Sequence, residues 1–135
     1  MANAPVLIVV AAALVDGDGR VLVQKRPPDG AMPNVWEFPG GKVEGDETPE
    51  AALKRELFEE LGIETDTSCL APLSFASEAL GERHLLLLLY VCRKWRGTPR
   101  PLHAPELKWV FPLELYTLSM PPADRPLIPM IEALL

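Results

Sequence analysis

Gly41-Lys42-Val43-Glu44-Gly45-Asp46-Glu47 runs directly into Thr48-Pro49-Glu50-Ala51-Ala52-Leu53-Lys54-Arg55-Glu56-Leu57-Phe58-Glu59-Glu60-Leu61-Gly62-Ile63. The first part is a polar, glycine-containing loop. Thr48 and Pro49 suit a helix start: a side-chain oxygen to cap an orphan N–H, and a ring whose fixed φ fits the first turn. Gly62 closes the helix as its C-terminal cap. Residues three or four apart share a helix face, so Leu53, Leu57 and Leu61 form an apolar stripe with Glu56, Glu59 and Glu60 crowded beside it. The leucines anchor the helix to a sheet, and the glutamates project into whatever lies above. Three carboxylates so close raise one another's pKa, which is unfavourable unless something positive sits among them. Hard divalent cations such as Mg²⁺ or Mn²⁺ take oxygen ligands and meet that need. For the glutamates taken alone, a solvated acidic helix face competes with that reading.

Outward from this segment, Val6 to Val15 and Arg20 to Arg26 read as two hairpin strands joined at Asp16-Gly17-Asp18-Gly19. Pro27 to Val35 is a loop, and Trp36-Glu37-Phe38 a short strand stopped by Pro39-Gly40-Gly41. Leu73 to Glu78 and His84 to Arg93 pair around Leu80-Gly81-Glu82. Within the second of these, Leu85 to Leu89 is a continuous apolar run that suits a strand covered on both faces. Leu107 to Phe111 is a last strand, Pro112 to Tyr116 a helical turn, and Asp124 to Leu135 a closing helix despite Pro126 and Pro129. Strands interleaved with two helices argue for an α/β (α+β) fold, a mixed β-sheet sandwiched between α-helices. With no repeat or linker, residues 1–135 read as a single domain.

A chain of 135 residues, 48% hydrophobic and 24% charged, can bury one sizeable core. Its net charge of −6 argues against a nucleic-acid polymer as main partner, since that affinity comes from basic residues neutralising phosphates. For a small polyphosphate substrate, the same acidity demands local positive charge, which divalent metal supplies. Pro5 to Val15 resembles a secretory h-region, but Met1 to Ala4 holds no lysine or arginine and the run is too short for a membrane span. A buried strand is the expectation. Cys69 and Cys92 are far apart and lack metal-type spacing, so they read as reduced core thiols of a cytoplasmic protein, expected to be a monomer or weak homodimer.

Gly41, five residues, Glu47, seven residues and then Arg55-Glu56-Leu57-Phe58-Glu59-Glu60-Leu61-Gly62-Ile63 resembles, position for position, the signature of the Nudix hydrolases. These enzymes cleave nucleoside diphosphates linked to another group. Seven identities at roughly 7% usage each coincide by chance about once in 10⁸ windows. The resemblance implies a three-layer α/β/α arrangement and a metal site built from Glu56, Glu59, Glu60 and the Gly40 carbonyl. It assigns Arg55 to holding Glu47 and the loop. It also implies that metal ions would withdraw charge from adjacent phosphates while one of Glu56, Glu59 and Glu60 deprotonates the attacking water. Glu56 is the first candidate for that base. Glu106 could add a late carboxylate; an exposed loop glutamate is the alternative.

Trp36-Glu37-Phe38-Pro39-Gly40-Gly41-Lys42-Val43-Glu44 is similar to the MutT-type nucleoside triphosphate pyrophosphatases, which sanitise oxidised dGTP, and the likeness extends through Pro121-Pro122-Ala123-Asp124-Arg125-Pro126. By resemblance Arg26, beside the proline-rich loop, and Lys42 and Gly41 lie at nucleotide- or phosphate-contacting positions. Asp124 stands where MutT-type enzymes carry a base-reading asparagine. A carboxylate only accepts, so an ionised Asp124 suits the adjacent N1–H and N2 amino donors of guanine, and Asn34 would supply the missing donor to O6. Alternatively Asp124 is a helix N-cap. Lys25 should face away from Arg26 by strand alternation. Trp36 and Trp109 most simply pack, and Arg93, Lys94 and Arg96 form a solvated basic patch. The resemblance thus implies a Mg²⁺-dependent triphosphate pyrophosphatase (Mn²⁺ substituting) acting on 8-oxo-dGTP in nucleotide-pool sanitation, a form of DNA repair. CTP, modified pyrimidine triphosphates or a nucleoside diphosphate sugar are alternative substrates, and a non-catalytic nucleotide-binding module is the reading from a different class.

Overall fold

The computed structural model describes residues 5–135, so the Met1 to Ala4 segment lies outside the described residues. In chain order the strands are β1 (Val6–Leu14), β2 (Val21–Lys25), β3 (Trp36–Glu37), β4 (Gly40–Lys42), β5 (Ala71–Leu80), β6 (Arg83–Cys92) and β7 (Leu107–Val110). Helix α1 (Pro49–Leu61) follows β4, and α2 (Ile128–Leu134) closes the chain. The strands form a four-stranded sheet, β4-β1-β6-β5, and a three-stranded sheet, β3-β2-β7. In the larger sheet β1 runs parallel to β6 and antiparallel to β4, so it is mixed, as expected for this fold class.

The β1–β2 hairpin does not form. Its two strands belong to different sheets, and only Val15 and Val21 bridge between them. The turn residues behave as read: the Asp16 carboxylate accepts from the backbone N–H of Asp18 and Arg20, at 3.0 and 2.8 Å, and from Arg20 Nε. The partner differs because β1 is apolar on both faces, and such a strand is stable only mid-sheet, between two others. The glycine segment also departs from the expected loop, since Gly40–Lys42 pairs with Val9 to Ala11. This pairing brings backbone so close that a Cβ on Gly40 would lie 1.9 Å from the Val10 carbonyl oxygen. Only glycine fits there.

Two apolar clusters flank the larger sheet. On one side Ala11, Ala13, Leu87 and Leu89 pack with Leu115, Leu127, Ile128 and Ile131. On the other, Val10, Ala12, Leu14 and Leu22 receive the α1 stripe Leu53, Leu57 and Leu61. All three stripe leucines are fully buried, worth roughly 2 kcal/mol each by transfer alone. Leu87 and Leu89 are buried on one face of β6 and Tyr90 and Cys92 on the other, whereas Leu85, Leu86, Leu88 and Val91 are only half-buried, so the apolar run is sealed completely on neither face. The closing helix is shorter than expected: a 3₁₀ turn at Arg125–Leu127 precedes α2. Pro126 and Pro129 sit at the second positions of these two pieces, within the first turn, where a missing N–H does no harm.

Candidate active site

Helix α1 starts and stops as its sequence dictates. Thr48 Oγ1 accepts from Ala51 N–H at 3.1 Å, and Gly62, left-handed at φ 71°, donates its N–H to Phe58 O. Because Leu53, Leu57 and Leu61 face the sheet, Arg55, Glu56 and Glu59 stand at the rim between α1 and the Gly40–Glu47 segment. Arg55 organises that rim. Its Nε and Nη2 grip both oxygens of Glu47 at 2.7 and 2.9 Å, a bidentate fork. Nη1 donates to Glu56 and Glu59 at 2.9 and 3.3 Å, and Nη2 also reaches the Lys42 carbonyl. The Arg55 hydrogen bonds hold the Glu47 carboxyl down to about 2, and those to Glu47 push the guanidinium pKa upward.

Glu60 is held differently. It is buried at 8% exposure, accepting from Gly40 N–H at 3.1 Å on Oε1 and from Gln24 Nε2 at 2.9 Å on Oε2. Burial pushes its pKa up to about 7 against the pull of the Gln24 bond, and the Glu56 charge adds to the rise. Glu56 is raised too, chiefly by burial, with Arg55 opposing. Its carboxyl lies against the glycine loop, where a Cβ on Gly41 would meet the Glu56 carboxyl carbon at 2.4 Å.

Three carboxylates, Glu47, Glu56 and Glu59, thus share one guanidinium, with Glu44 at 3.9 Å. Among the described residues no three carboxylate, imidazole or thiol groups converge on a single point; Glu56 and Glu59 instead share the positive charge of Arg55. The donor set still fits a hard cation: Glu56, Glu59 and Glu60 offer only oxygens, and the Gly41 cradle admits Glu56 where any side chain would exclude it. The uncompensated negative charge is what a divalent ion would neutralise.

A second cluster lies beside the first. Arg26 Nε donates to Glu37 Oε1 at 2.8 Å and its Nη1 to the Ala31 carbonyl. Asp124 is 7% exposed and accepts from Phe38 N–H at 3.2 Å on Oδ2. Burial drives its pKa up to about 7, aided by the nearby Glu37 charge and opposed by the Phe38 bond. Asp124 makes no side-chain capping bond, so the N-cap reading is set aside in favour of a link across the fold. Asn34, left-handed at φ 64°, and Lys42 are exposed at the rim. Glu106 is also exposed; its carbonyl, not its carboxylate, is engaged, by Lys25 N–H. Lys25 stands 5.8 Å over the Trp36 ring, as does Lys108, and Trp109 stacks on Trp95 at 6.2 Å. Sequence reading missed Gln24 and Glu37. Gln24 was findable, being the one polar residue in the apolar run that precedes Lys25.

The chain matches the NUDIX domain over residues 5–131. It belongs to the Nudix family. This Nudix hydrolase is 38% identical to the CTP pyrophosphohydrolase of Escherichia coli, over 95% of the chain and 93% of the relative. It is 33% identical to the 8-oxo-dGTP diphosphatase of the same organism, over 87% and 89%. Among solved structures, that of the E. coli ORF135 protein covers 96% of the chain, with 91% of its own length matched, at TM-score 0.85 and 34% identity. A MutT structure described for Aliivibrio salmonicida and Vibrio cholerae aligns at TM-score 0.80 and 27% identity, covering 96% of this chain and 99% of that one. The activity class is therefore that of a Nudix pyrophosphohydrolase, in a family that uses divalent metal ions. No helix among the described residues is long and apolar enough to cross a membrane.

Proposed function

We propose that this Nudix hydrolase converts a (deoxy)nucleoside triphosphate to its monophosphate and pyrophosphate with Mg²⁺, with 8-oxo-dGTP as preferred substrate. Glu56, Glu59, Glu60 and the Gly40 carbonyl would hold the metal, which would supply charge neutralisation at the phosphates and lower the pKa of the attacking water. Glu56 accepts the water's proton. Its seat against Gly41, with Arg55 Nη1 on one carboxylate oxygen, supports that role by holding the carboxyl at the mouth of the glycine loop. Arg55 and Glu47 keep the glycine loop closed on α1, and Arg26 and Lys42 face the phosphates. The purine preference rests on Asp124, a buried carboxylate beside the Arg26–Glu37 pair, whose ionised form accepts both donors on guanine's edge. Mn²⁺ substitutes for Mg²⁺, and nucleotide-pool sanitation in the cytoplasm is the setting.

One observation favours a second substrate. With a pKa near 7, Asp124 also exists protonated at neutral pH, donating to cytosine N3 while accepting from its N4 amino group. The likeness to a CTP pyrophosphohydrolase points the same way. Steady-state kinetics with Mg²⁺ on 8-oxo-dGTP, dGTP, CTP and dCTP decide between them. The sanitising role predicts kcat/KM for 8-oxo-dGTP at least about 10-fold above the rest, about 1.4 kcal/mol of discrimination. Equal or higher values for CTP overturn it.

A further inference from the structure

Gln24 is the least explained polar residue near the glutamates. It lies on β2 with its side chain on the α1 side, in line with Leu22, and is 2% exposed. Nε2 donates to Glu60 Oε2 at 2.9 Å, whereas Oε1 is sealed from solvent and has no hydrogen-bond partner. A buried amide with an orphaned oxygen is poorer for stability than leucine or methionine of similar size. The fold therefore gains little from the Gln24 side chain, whose one hydrogen bond is to Glu60.

That contact completes a division of labour. Arg55 Nη1 holds Glu56 and Glu59 but makes no bond to Glu60. Glu60 is fixed instead by donors from two strands, Gly40 N–H on one oxygen and Gln24 on the other. Its flexible side chain is thus held in one orientation before any cation arrives. We propose that Gln24 is a positioning residue that sets the Glu60 carboxylate for metal binding. The proposal rests on the reading of Glu60 as a metal ligand.

The test is Mn²⁺ titration, followed by the free-ion EPR signal, on the wild type, Gln24→Met, Gln24→Asn, Glu60→Gln and the double variant Gln24→Met/Glu60→Gln. The Asn variant keeps a buried amide one methylene too short to reach Glu60. It also carries the test should the Met variant fail to fold, which thermal melting monitors. Both Gln24 variants should bind Mn²⁺ about 10-fold more weakly, as when the outer partner of a metal ligand is lost. Their kcat should fall while KM for the nucleotide stays within about twofold. In the Glu60→Gln background, replacing Gln24 should change Mn²⁺ affinity no further. Wild-type affinity in the Gln24 variants, or an equal loss in both backgrounds, overturns the proposal. Wild-type affinity in Glu60→Gln alone instead removes Glu60 from the metal site and takes Gln24's role with it.

Discussion

Glu56 and Asp124 have raised pKa values but belong to different parts of the site. For Glu56 the Gln variant keeps shape and removes the base, so kcat should fall about 10²–10⁴-fold with the melting temperature unchanged; a rate within threefold of wild type would dismiss Glu56 as base. Asp124 has a pH signature. An unfolded aspartate loses its proton near pH 3.9, whereas in the native state Asp124 holds it up to about pH 7. Its contribution to stability is complete below the unfolded value and disappears as pH rises through the folded one, an effect of at most about 4 kcal/mol. Asp124→Asn can still accept from Phe38 N–H and never ionises. Melting from pH 5 to 8 should therefore show the wild type losing stability relative to Asp124→Asn; parallel curves would contradict the shift.

At the scale of elements, adjacent glycines carry separable duties. Gly40 lets β4 lie against β1, and an added Cβ would strike backbone on Val10 and Ala11 at 1.9 and 2.7 Å. Backbone cannot yield cheaply, so Gly40→Ala should destabilise by about 2–4 kcal/mol, seen as a drop in Tm of roughly 10 °C. At Gly41 the added Cβ meets only the end of the Glu56 side chain, which can swing away. Gly41→Ala should therefore melt near wild type yet lose at least about tenfold in kcat. If the two variants exchange these phenotypes, the assignment of the segment is wrong. The fork from Arg55 to Glu47 joins the same segment to α1, so loop and helix form one unit.

For the whole molecule, a net charge of −6 and an acidic rim built around one guanidinium make divalent cations natural stabilisers of the native state. Saturating Mn²⁺ at about 100 times its Kd should add about 2.7 kcal/mol, read as a rise in Tm that EDTA reverses. Replacing Glu56, Glu59 and Glu60 together by Gln should abolish the rise; its survival would place the cation elsewhere. The architecture that supports this rim was legible wherever local periodicity decided it. Helix α1, its caps, its leucine stripe and the paired β5 and β6 follow from spacing alone. The hairpin failed because turn chemistry at Asp16 to Gly19 specifies a reversal, not which strand the returning chain will join.

Residue order alone determined the chemistry on offer: a capped helix with three acidic side chains and an arginine on one flank, preceded by glycines that accept close contact. Those are properties of neighbours within one turn of a helix, and local geometry dictates them. Tertiary structure decided which acid is buried, which is held by Arg55 and which by Gln24, and that Asp124 meets Phe38 from 86 residues away in the chain. Such pairings depend on segments distant in the chain being pressed together by burial, and no periodicity in the sequence encodes that meeting.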